Sequence, residues 1–218
     1  RFYNVDIDHD EKVMTLNEGG MDNGNNLYVR DLTKPNSQFI QMCSDTRFRY
    51  STVETVGKKM YILTNAGAPK YRLMVADRPG YNDWKEVVPE GESVLTDVTF
   101  ADDRMILQYS KDNCNQMYTY TTDGKLIGEI KLPTFGSTSA SGMRGQKEVF
   151  YSFTSYTMPG AVYSYDIDAD KSTVWAAPKI NFRSDDYKTE MVFYTSKDGT
   201  RAPLFITYKK GMKLNGRM

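Results

Sequence analysis

The sequence predicts an all-β protein assembled from the blades of a β-propeller. Tyrosine-rich strand segments recur with a fixed period, because Tyr28, Leu73, Tyr118 and Tyr163 follow one another at intervals of 45 residues. Each of these segments follows another short β-rich segment and precedes a polar turn with a third one. Units of about 40 to 50 residues with several short strands are typical of propeller blades, and no segment has convincing helical periodicity.

The repeat units can be assigned strand by strand. The first predicted strands are Val13–Leu16, Met60–Leu63, Arg104–Leu107 and Glu148–Tyr151. The strands that follow them are Asn26–Asp31, Tyr71–Asp77, Gln116–Tyr120 and Ala161–Asp166. Third strands are predicted after polar turns, for example at Leu126–Ile130 and Thr173–Trp175. A β-sandwich would not require such regular spacing, so residues 1–179 are assigned to about four blades.

The repeat ends near Lys179, and a different pattern follows. Two β-rich segments, Met191–Ser196 and Arg201–Lys209, flank Lys197-Asp198-Gly199-Thr200. Asp-Gly between two such segments is a strong hairpin signal, because the tight turn needs a positive φ. The hairpin is out of phase with the 45-residue period. We therefore predict that residues 180–218 contain the first strands of a second, truncated domain.

Several segments of the chain match the sequence pattern of one known family. The most specific are Phe193–Ile206 and Lys209–Gly216, and further matches are Tyr151–Tyr156 with Pro159-Gly160, Ala68–Leu73, Asp83–Lys85 and Val88–Glu90. Together they resemble the prolyl oligopeptidases, serine peptidases that cut short peptides after proline. The resemblance covers essentially the whole chain. Oligopeptidase B and the dipeptidyl peptidases share the architecture but are less similar around Tyr194–Lys210.

The resemblance implies a partial propeller from a seven-bladed parent, followed by the start of an α/β-hydrolase domain. The Ser, Asp and His of that domain, with the Ser in a Gly-x-Ser-x-Gly turn, would then lie outside this chain. The implied partners are the remaining blades, the hydrolase domain and short proline-containing peptides. The propeller would admit flexible peptides and exclude folded proteins. We expect this chain alone to be inactive.

The resemblance also places a substrate contact in the loop Asn17–Asn23. Either Met21 or Gly20 stands where the family's propeller contributes to a subsite two residues before the proline on the cleaved side. This loop has one residue more than the family pattern, so the two positions stay alternatives. A methionine suits an adaptable apolar contact.

No catalytic residues are predicted within the chain. A serine nucleophile needs a base, nearly always histidine, and the one histidine is His9 in a polar turn. The serine-rich segment Gly136–Gly142 does not fit Gly-x-Ser-x-Gly in any register. We interpret His9 as a solvated turn residue and Gly136–Gly142 as a flexible loop between blades.

No metal or other cofactor is predicted either. The acidic turns Asp6–Asp10 and Asp166–Asp170 mimic the start of a calcium loop, but its glycine and its last glutamate are absent from both. Aspartates in such turns commonly bind the local backbone. Cys43 and Cys114 lie far apart in the sequence, and free thiols are favoured over a disulfide because a domain of this size needs no covalent staple.

Composition narrows the possible functions further. The chain has 28 basic and 28 acidic residues and no long apolar run, so we predict no nucleic-acid partner and no membrane span. The compartment stays open, with a soluble cytoplasmic or periplasmic location expected. The alternative function is a stand-alone propeller that binds a protein or glycan partner. It would need a closed ring, which the out-of-phase hairpin argues against.

Overall fold

The computed structural model describes residues 1–21, 23–77, 83–213 and 216, and in these the fold is all-β. A single 3-10 turn, Ser184–Asp186, is the one helical element that the described residues contain. The strands are β1 (Phe2–Ile7), β2 (Val13–Gly19), β3 (Asn25–Asp31), β4 (Ile40–Cys43), β5 (Tyr50–Val56), β6 (Lys59–Thr64), β7 (Arg72–Asp77), β8 (Trp84–Val88), β9 (Val94–Ala101), β10 (Arg104–Lys111), β11 (Cys114–Thr121), β12 (Leu126–Ile130), β13 (Ser137–Ser141), β14 (Glu148–Thr154), β15 (Ala161–Asp166), β16 (Lys171–Ala176), β17 (Tyr187–Thr195) and β18 (Arg201–Lys209).

Sixteen of the strands form four antiparallel sheets, and each sheet is a meander of four consecutive strands. The sheets are β1 to β4, β5 to β8, β9 to β12 and β13 to β16, and we call them the first to fourth blades. Short turns connect the strands because antiparallel neighbours need no crossover. The predicted propeller blades are confirmed.

The second and third strands of each blade form its most buried part. In the second blade, β6 and β7 are buried on both faces, and Leu63 pairs with Leu73 across them. Both faces are covered because the blade lies between two neighbours. Their apolar, β-branched and aromatic residues are those that sheets favour, which explains why these strands could be found in the sequence.

The first strand of each blade borders the central channel. Strands β5 and β9 contact each other, as expected for the innermost strands of adjacent blades. The interpretation of Gly136–Gly142 as a flexible loop was wrong, because Ser137–Ser141 is β13, the innermost strand of the fourth blade. This strand was not predicted because it consists of small, mostly polar residues. The Thr138 hydroxyl donates a hydrogen bond to the Ser152 carbonyl at 2.7 Å.

The blades are held together by apolar cores between neighbouring sheets. Val13, Leu27 and Val29 of the first blade pack against Met60 and Ile62 of the second. A second core joins the second and third blades, and a third core joins the third and fourth. Within the described residues, four blades thus share three cores. A closed ring of four blades would need a fourth core, so the blades form an open arc.

The outer faces of the arc, which are the faces of the first and fourth blades that no other blade covers in this structure, are exposed. Tyr3, Val5 and Ile7 of the first blade are more than half exposed, as is Trp175 of the fourth. This arrangement argues against the alternative of a self-contained propeller, whose terminal blades would cover each other.

Strands β17 and β18 form the predicted hairpin as a separate two-stranded sheet. Its turn contains Asp198 and Gly199, and Gly199 has φ +84°. The Thr200 amide donates to the Asp198 carboxylate at 3.0 Å. The first strand begins at Tyr187, four residues before the predicted start at Met191.

Candidate functional site

The hairpin marks one face of the propeller. In a four-stranded meander, the loops between the second and third strands lie on the same face as the connections to the next blade. The Phe205 ring of β18 lies 6.0 Å from Phe135, in the connection between the third and fourth blades. It also lies 5.4 Å from Tyr156, in the loop between β14 and β15. We call this surface the hairpin face.

The predicted site residues Gly20 and Met21 lie on the same face. They follow β2 in the loop to β3, and Asp22 of this loop lies outside the described residues. The Met21 side chain is fully exposed. Gly20 lines a groove of about 510 Å³, and a Cβ atom at Gly20 would meet no atom within 4 Å.

The groove runs between the innermost strands of the first and second blades. Its walls come from β1, from the beginning of β5 and from the loop after β2. Most of the lining side chains are neutral hydrogen-bonding groups, including Asn4, Asn17 and Thr52. Two charged side chains border it, Arg49 and Asp6. Such a surface suits the polar backbone of a peptide.

A polar network fixes the end of β2 beside the loop. The Glu18 carboxylate, whose side chain is 9% exposed, accepts hydrogen bonds from Asn26 Nδ2 at 2.9 Å and the Tyr28 hydroxyl at 3.0 Å. Arg1 pairs with the same carboxylate. The bonds from Asn26 and then Tyr28 hold the pKa of Glu18 below its usual value. Glu18 therefore stays charged and anchors the neighbouring Gly19 and Gly20.

On the opposite face, an arginine of the fourth blade reaches the first two blades. Arg144, between β13 and β14, donates from Nη2 to Asp10 Oδ1 at 2.6 Å, although the two residues are 134 positions apart. Its Nε lies 3.7 Å from Glu54 Oε2 of β5. The bond from Arg144 lowers the pKa of Asp10. We call these three residues the cross-arc ion cluster.

In the two acidic turns, an aspartate carboxylate accepts hydrogen bonds from nearby backbone amides. Asp8 Oδ1 accepts from the amides of Lys12 at 2.7 Å and Val13 at 2.8 Å. Asp166 Oδ1 accepts from the amides of Asp168 and Ala169 at 2.9 and 3.0 Å. Over the described ranges, no three His, Cys, Asp or Glu side chains are grouped as a metal site.

The remaining candidates also lie apart from one another. His9 is exposed in the turn between β1 and β2, on the face opposite the hairpin. Cys43 and Cys114 are free thiols, as predicted. No helix in the described part of the chain is long and apolar enough to cross a membrane.

Comparison with known proteins identifies the family. The family profile for the prolyl oligopeptidase N-terminal β-propeller domain matches residues 1–178. The chain belongs to the prolyl oligopeptidase family. The part of the C-terminal resemblance at Leu214 and Asn215 lies outside the described residues.

Similar prolyl oligopeptidases come from bacteria and amoebae. A prolyl endopeptidase of Elizabethkingia meningoseptica is 34% identical over all of this chain, which spans 31% of that relative's length. A prolyl endopeptidase of Dictyostelium discoideum is 32% identical over 74% of this chain and 23% of its own length. The chain thus spans about a third or less of these relatives.

Solved structures of the family have the same fold. A structure from a study of two prolyl endopeptidases matches 97% of this chain and 32% of its own with a TM-score of 0.85 and 28% identity. Prolyl oligopeptidase B from Galerina marginata matches 99% of this chain and 32% of its own with a TM-score of 0.90 and 24% identity.

Sequence reasoning did not find two charged residues that the fold makes prominent. Arg49 borders the groove, and Arg144 connects distant blades. Neither belongs to a motif, and each gains its position from contacts between blades. The cluster of arginines at Arg47 and Arg49 was a local signal, but the sequence does not reveal which of the two faces the groove.

Proposed function

We propose that this chain is the substrate-gating propeller part of a prolyl oligopeptidase, a serine endopeptidase that cleaves short peptides after proline. Family membership carries the proposal, together with the 34% identity to a prolyl endopeptidase over the whole chain. The catalytic Ser, Asp and His would belong to polypeptide outside residues 1–218. Acylation of that serine and hydrolysis of the acyl-enzyme would be the chemical steps.

The propeller's own contribution would be control of access. A groove with polar walls on the hairpin face can accept an extended peptide, whose backbone groups need hydrogen-bond partners. A folded protein presents no such free strand. Exclusion of folded chains would confine activity to short proline-containing peptides, and exclusion of bulk water would strengthen the electrostatic interactions inside the active site.

We propose that residues 1–179 are propeller and that residues 180–218 begin the peptidase domain. Two observations support this division. The four-stranded sheets end with β16 at Ala176, and the following hairpin forms its own sheet. The hairpin packs on the face from which a second domain would cover the channel.

We further propose that Met21, with Gly20 beside it, contacts the substrate residue two positions before the proline. Met21 is fully exposed on the hairpin face, and Gly20 lines the groove next to it. A flexible thioether can adapt to several apolar side chains. The peptide would cover this methionine when it binds.

Hydrolysis of a fluorogenic Gly-Pro substrate tests the function. The full-length enzyme should release the fluorophore, and residues 1–218 alone should release none. Addition of a serine-directed inhibitor should abolish turnover by the full-length enzyme. Turnover by the pure 218-residue chain, or none by the full-length protein, would contradict the proposal.

Replacement of the methionine tests the contact. In the full-length enzyme, Met21→Ala should reduce kcat/KM about three- to tenfold for peptides with a large apolar residue at that position, because an apolar contact is lost. Peptides with glycine there should be affected little. Met143→Ala is the matched control, because Met143 is also exposed but lies on the opposite face. Equal effects on both peptide classes would refute the contact.

A further inference from the structure

Arg49 is an exposed cation that backbone and side-chain hydrogen bonds hold on the hairpin face. It immediately precedes β5 on the hairpin face, and its amide donates to Asn65 Oδ1 at 2.7 Å. Its Nε donates to the Asn23 carbonyl at 3.2 Å. In the part of the chain that the structure describes, no ion pair joins Arg49 to a carboxylate. The described contacts of Arg49 are therefore with neutral groups, and none of these contacts neutralises its charge.

The neighbouring arginine is different. The Arg47 guanidinium donates two hydrogen bonds to Asp45, from Nε at 2.8 Å and from Nη2 at 2.6 Å. The bonds from Arg47 lower the pKa of Asp45 to about 2. Arg47 does not line the groove, whereas Arg49 does. Within the described residues, Arg47 is thus paired with a carboxylate, whereas Arg49 contacts neutral groups.

The two charged side chains of the groove, Arg49 and Asp6, lie at different distances from the hairpin face. Arg49 and Phe2 stand at the hairpin-face end, where β5 and β1 begin. Asp6, the acidic residue of the lining, is four residues further along β1, which is about 13 Å at ~3.3 Å per residue. Asp6 also accepts a hydrogen bond from Asn4 Nδ2 at 2.6 Å. A ligand that enters from the hairpin face therefore meets the cation first.

We propose that Arg49 is a specificity-determining residue that binds a carboxylate of the peptide substrate. A guanidinium has five N–H donors in a planar fork that matches a carboxylate, and the described contacts use only the one on Nε. The carboxylate can be an Asp or Glu side chain of the peptide or its C-terminal group. This inference rests on the proposed function, because the peptide must pass the groove to reach the peptidase domain.

Matched peptides separate the two sources of carboxylate. The first series uses quenched fluorescent peptides that contain one Gly-Pro sequence. A single Glu is placed in turn at each of the four positions before this sequence, and each peptide is compared with its counterpart that has Gln at the same position. A second series compares a free C-terminal acid with its amide. The readout is the ratio of kcat/KM for the acidic peptide to that for its neutral counterpart, in the full-length enzyme.

The wild-type enzyme should prefer the acidic peptide by about three- to tenfold in one of these series, and Arg49→Gln should bring the ratio close to one. Arg47→Gln is the control and should keep the preference. The preference should shrink as ionic strength rises, since an exposed pair is screened.

The outcomes distinguish the two proposals. If the enzyme cuts neutral Gly-Pro peptides but does not prefer acidic ones, the role of Arg49 alone is refuted. The same holds if the enzyme prefers acidic peptides and Arg49→Gln leaves this preference unchanged. An enzyme that leaves neutral Gly-Pro peptides uncut refutes the proposed function and this inference with it. Thermal unfolding of both variants should match the wild type, which excludes loss of fold as the cause.

Discussion

At the scale of single residues, burial determines how the two thiols react. Burial raises the pKa of the Cys43 thiol to about 12. Burial also raises the pKa of Cys114, while a hydrogen bond from the Gly136 amide opposes the change. Because the thiolate is the reactive form, both cysteines are protected at neutral pH, and Cys43 is protected more.

We predict that Cys43 resists alkylation in the folded protein. With a pKa of about 12, only about 1 in 10,000 Cys43 thiols is ionised at pH 8. Labelling with iodoacetamide, followed by mass spectrometry of each peptide, should give a rate at least about 100-fold below that of an ordinary thiol. The same protein unfolded in guanidinium is the control, in which Cys43 and Cys114 should react alike. Rapid labelling of folded Cys43 would contradict the burial.

At the scale of the elements, turns are restricted by the blades beside them. Gly124, in the turn between β11 and β12, has φ +90°, and a Cβ atom there would lie 2.0 Å from the Val87 carbonyl oxygen of the second blade. Gly57 has φ +60° but no atom within 4 Å of such a Cβ. Gly128 of β12 has neither restriction, because its nearest neighbour is Thr119 Oγ1 at 3.7 Å.

Three alanine substitutions should therefore differ in their cost. Gly57→Ala measures backbone strain and should destabilise by about 1 kcal/mol, while Gly128→Ala should change stability by less than about 0.5 kcal/mol. Gly124→Ala adds displacement of the second blade and should cost about 3 kcal/mol or more. Urea unfolding of the three variants measures this order. Equal losses for Gly57→Ala and Gly124→Ala would show that the contact with Val87 does not restrict the turn.

The sequence revealed some strands of each blade and concealed others. Apolar and aromatic strands such as β6 and β10 were predicted within a few residues, because burial on both faces requires those residue types. The innermost β13 was missed, because Ser137–Ser141 carry no apolar pattern. The loop with Gly20 and Met21 could be located only through the family resemblance. The groove forms only where the first and second blades pack together, and the residue pattern of a single strand does not predict this packing.

At the scale of the whole molecule, the cross-arc ion cluster connects the fourth blade to the first two blades, with which it shares no core in the described residues. Arg144 and Glu54 are 18% and 15% exposed at their side chains, and Asp10 is 32% exposed. Lys147, close to Arg144 in the chain, instead pairs with Asp168 of its own blade at 2.6 Å. Arg144 therefore connects different blades, whereas Lys147 forms its ion pair within the fourth blade.

Loss of the cluster should change how stability depends on pH. The folded-state pKa of Asp10 lies below its usual value, so its stabilising effect is present above about pH 4 and is lost as the pH falls through the folded pKa. Arg144→Gln should lower the unfolding midpoint at pH 7, and the difference from wild type should shrink in acid. An NMR titration should show that the pKa of Asp10 rises towards its usual value in the variant. Lys147→Gln should leave the pKa of Asp10 unchanged, and a shift of equal size in that variant would contradict the assignment.

The exposed outer faces predict that residues 1–218 by themselves associate. Val5 and Trp175 belong to apolar faces that lack a covering blade in this chain, and such surfaces promote contact between copies. Sedimentation velocity should show growth of larger species with concentration. Val5→Lys with Trp175→Lys should reduce it, whereas Leu204→Lys on the hairpin should reduce it less. A monomer at all concentrations would contradict the prediction.

The arrangement of three cores between four blades has a consequence for cooperativity. Each central blade is stabilised from both sides, and each terminal blade from one, as in a short linear array of repeats. Opening should therefore start at the ends and move inward, so that amide hydrogen exchange is slowest in β6, β7, β10 and β11. Damage to one core would divide the array in two rather than weaken all of it equally.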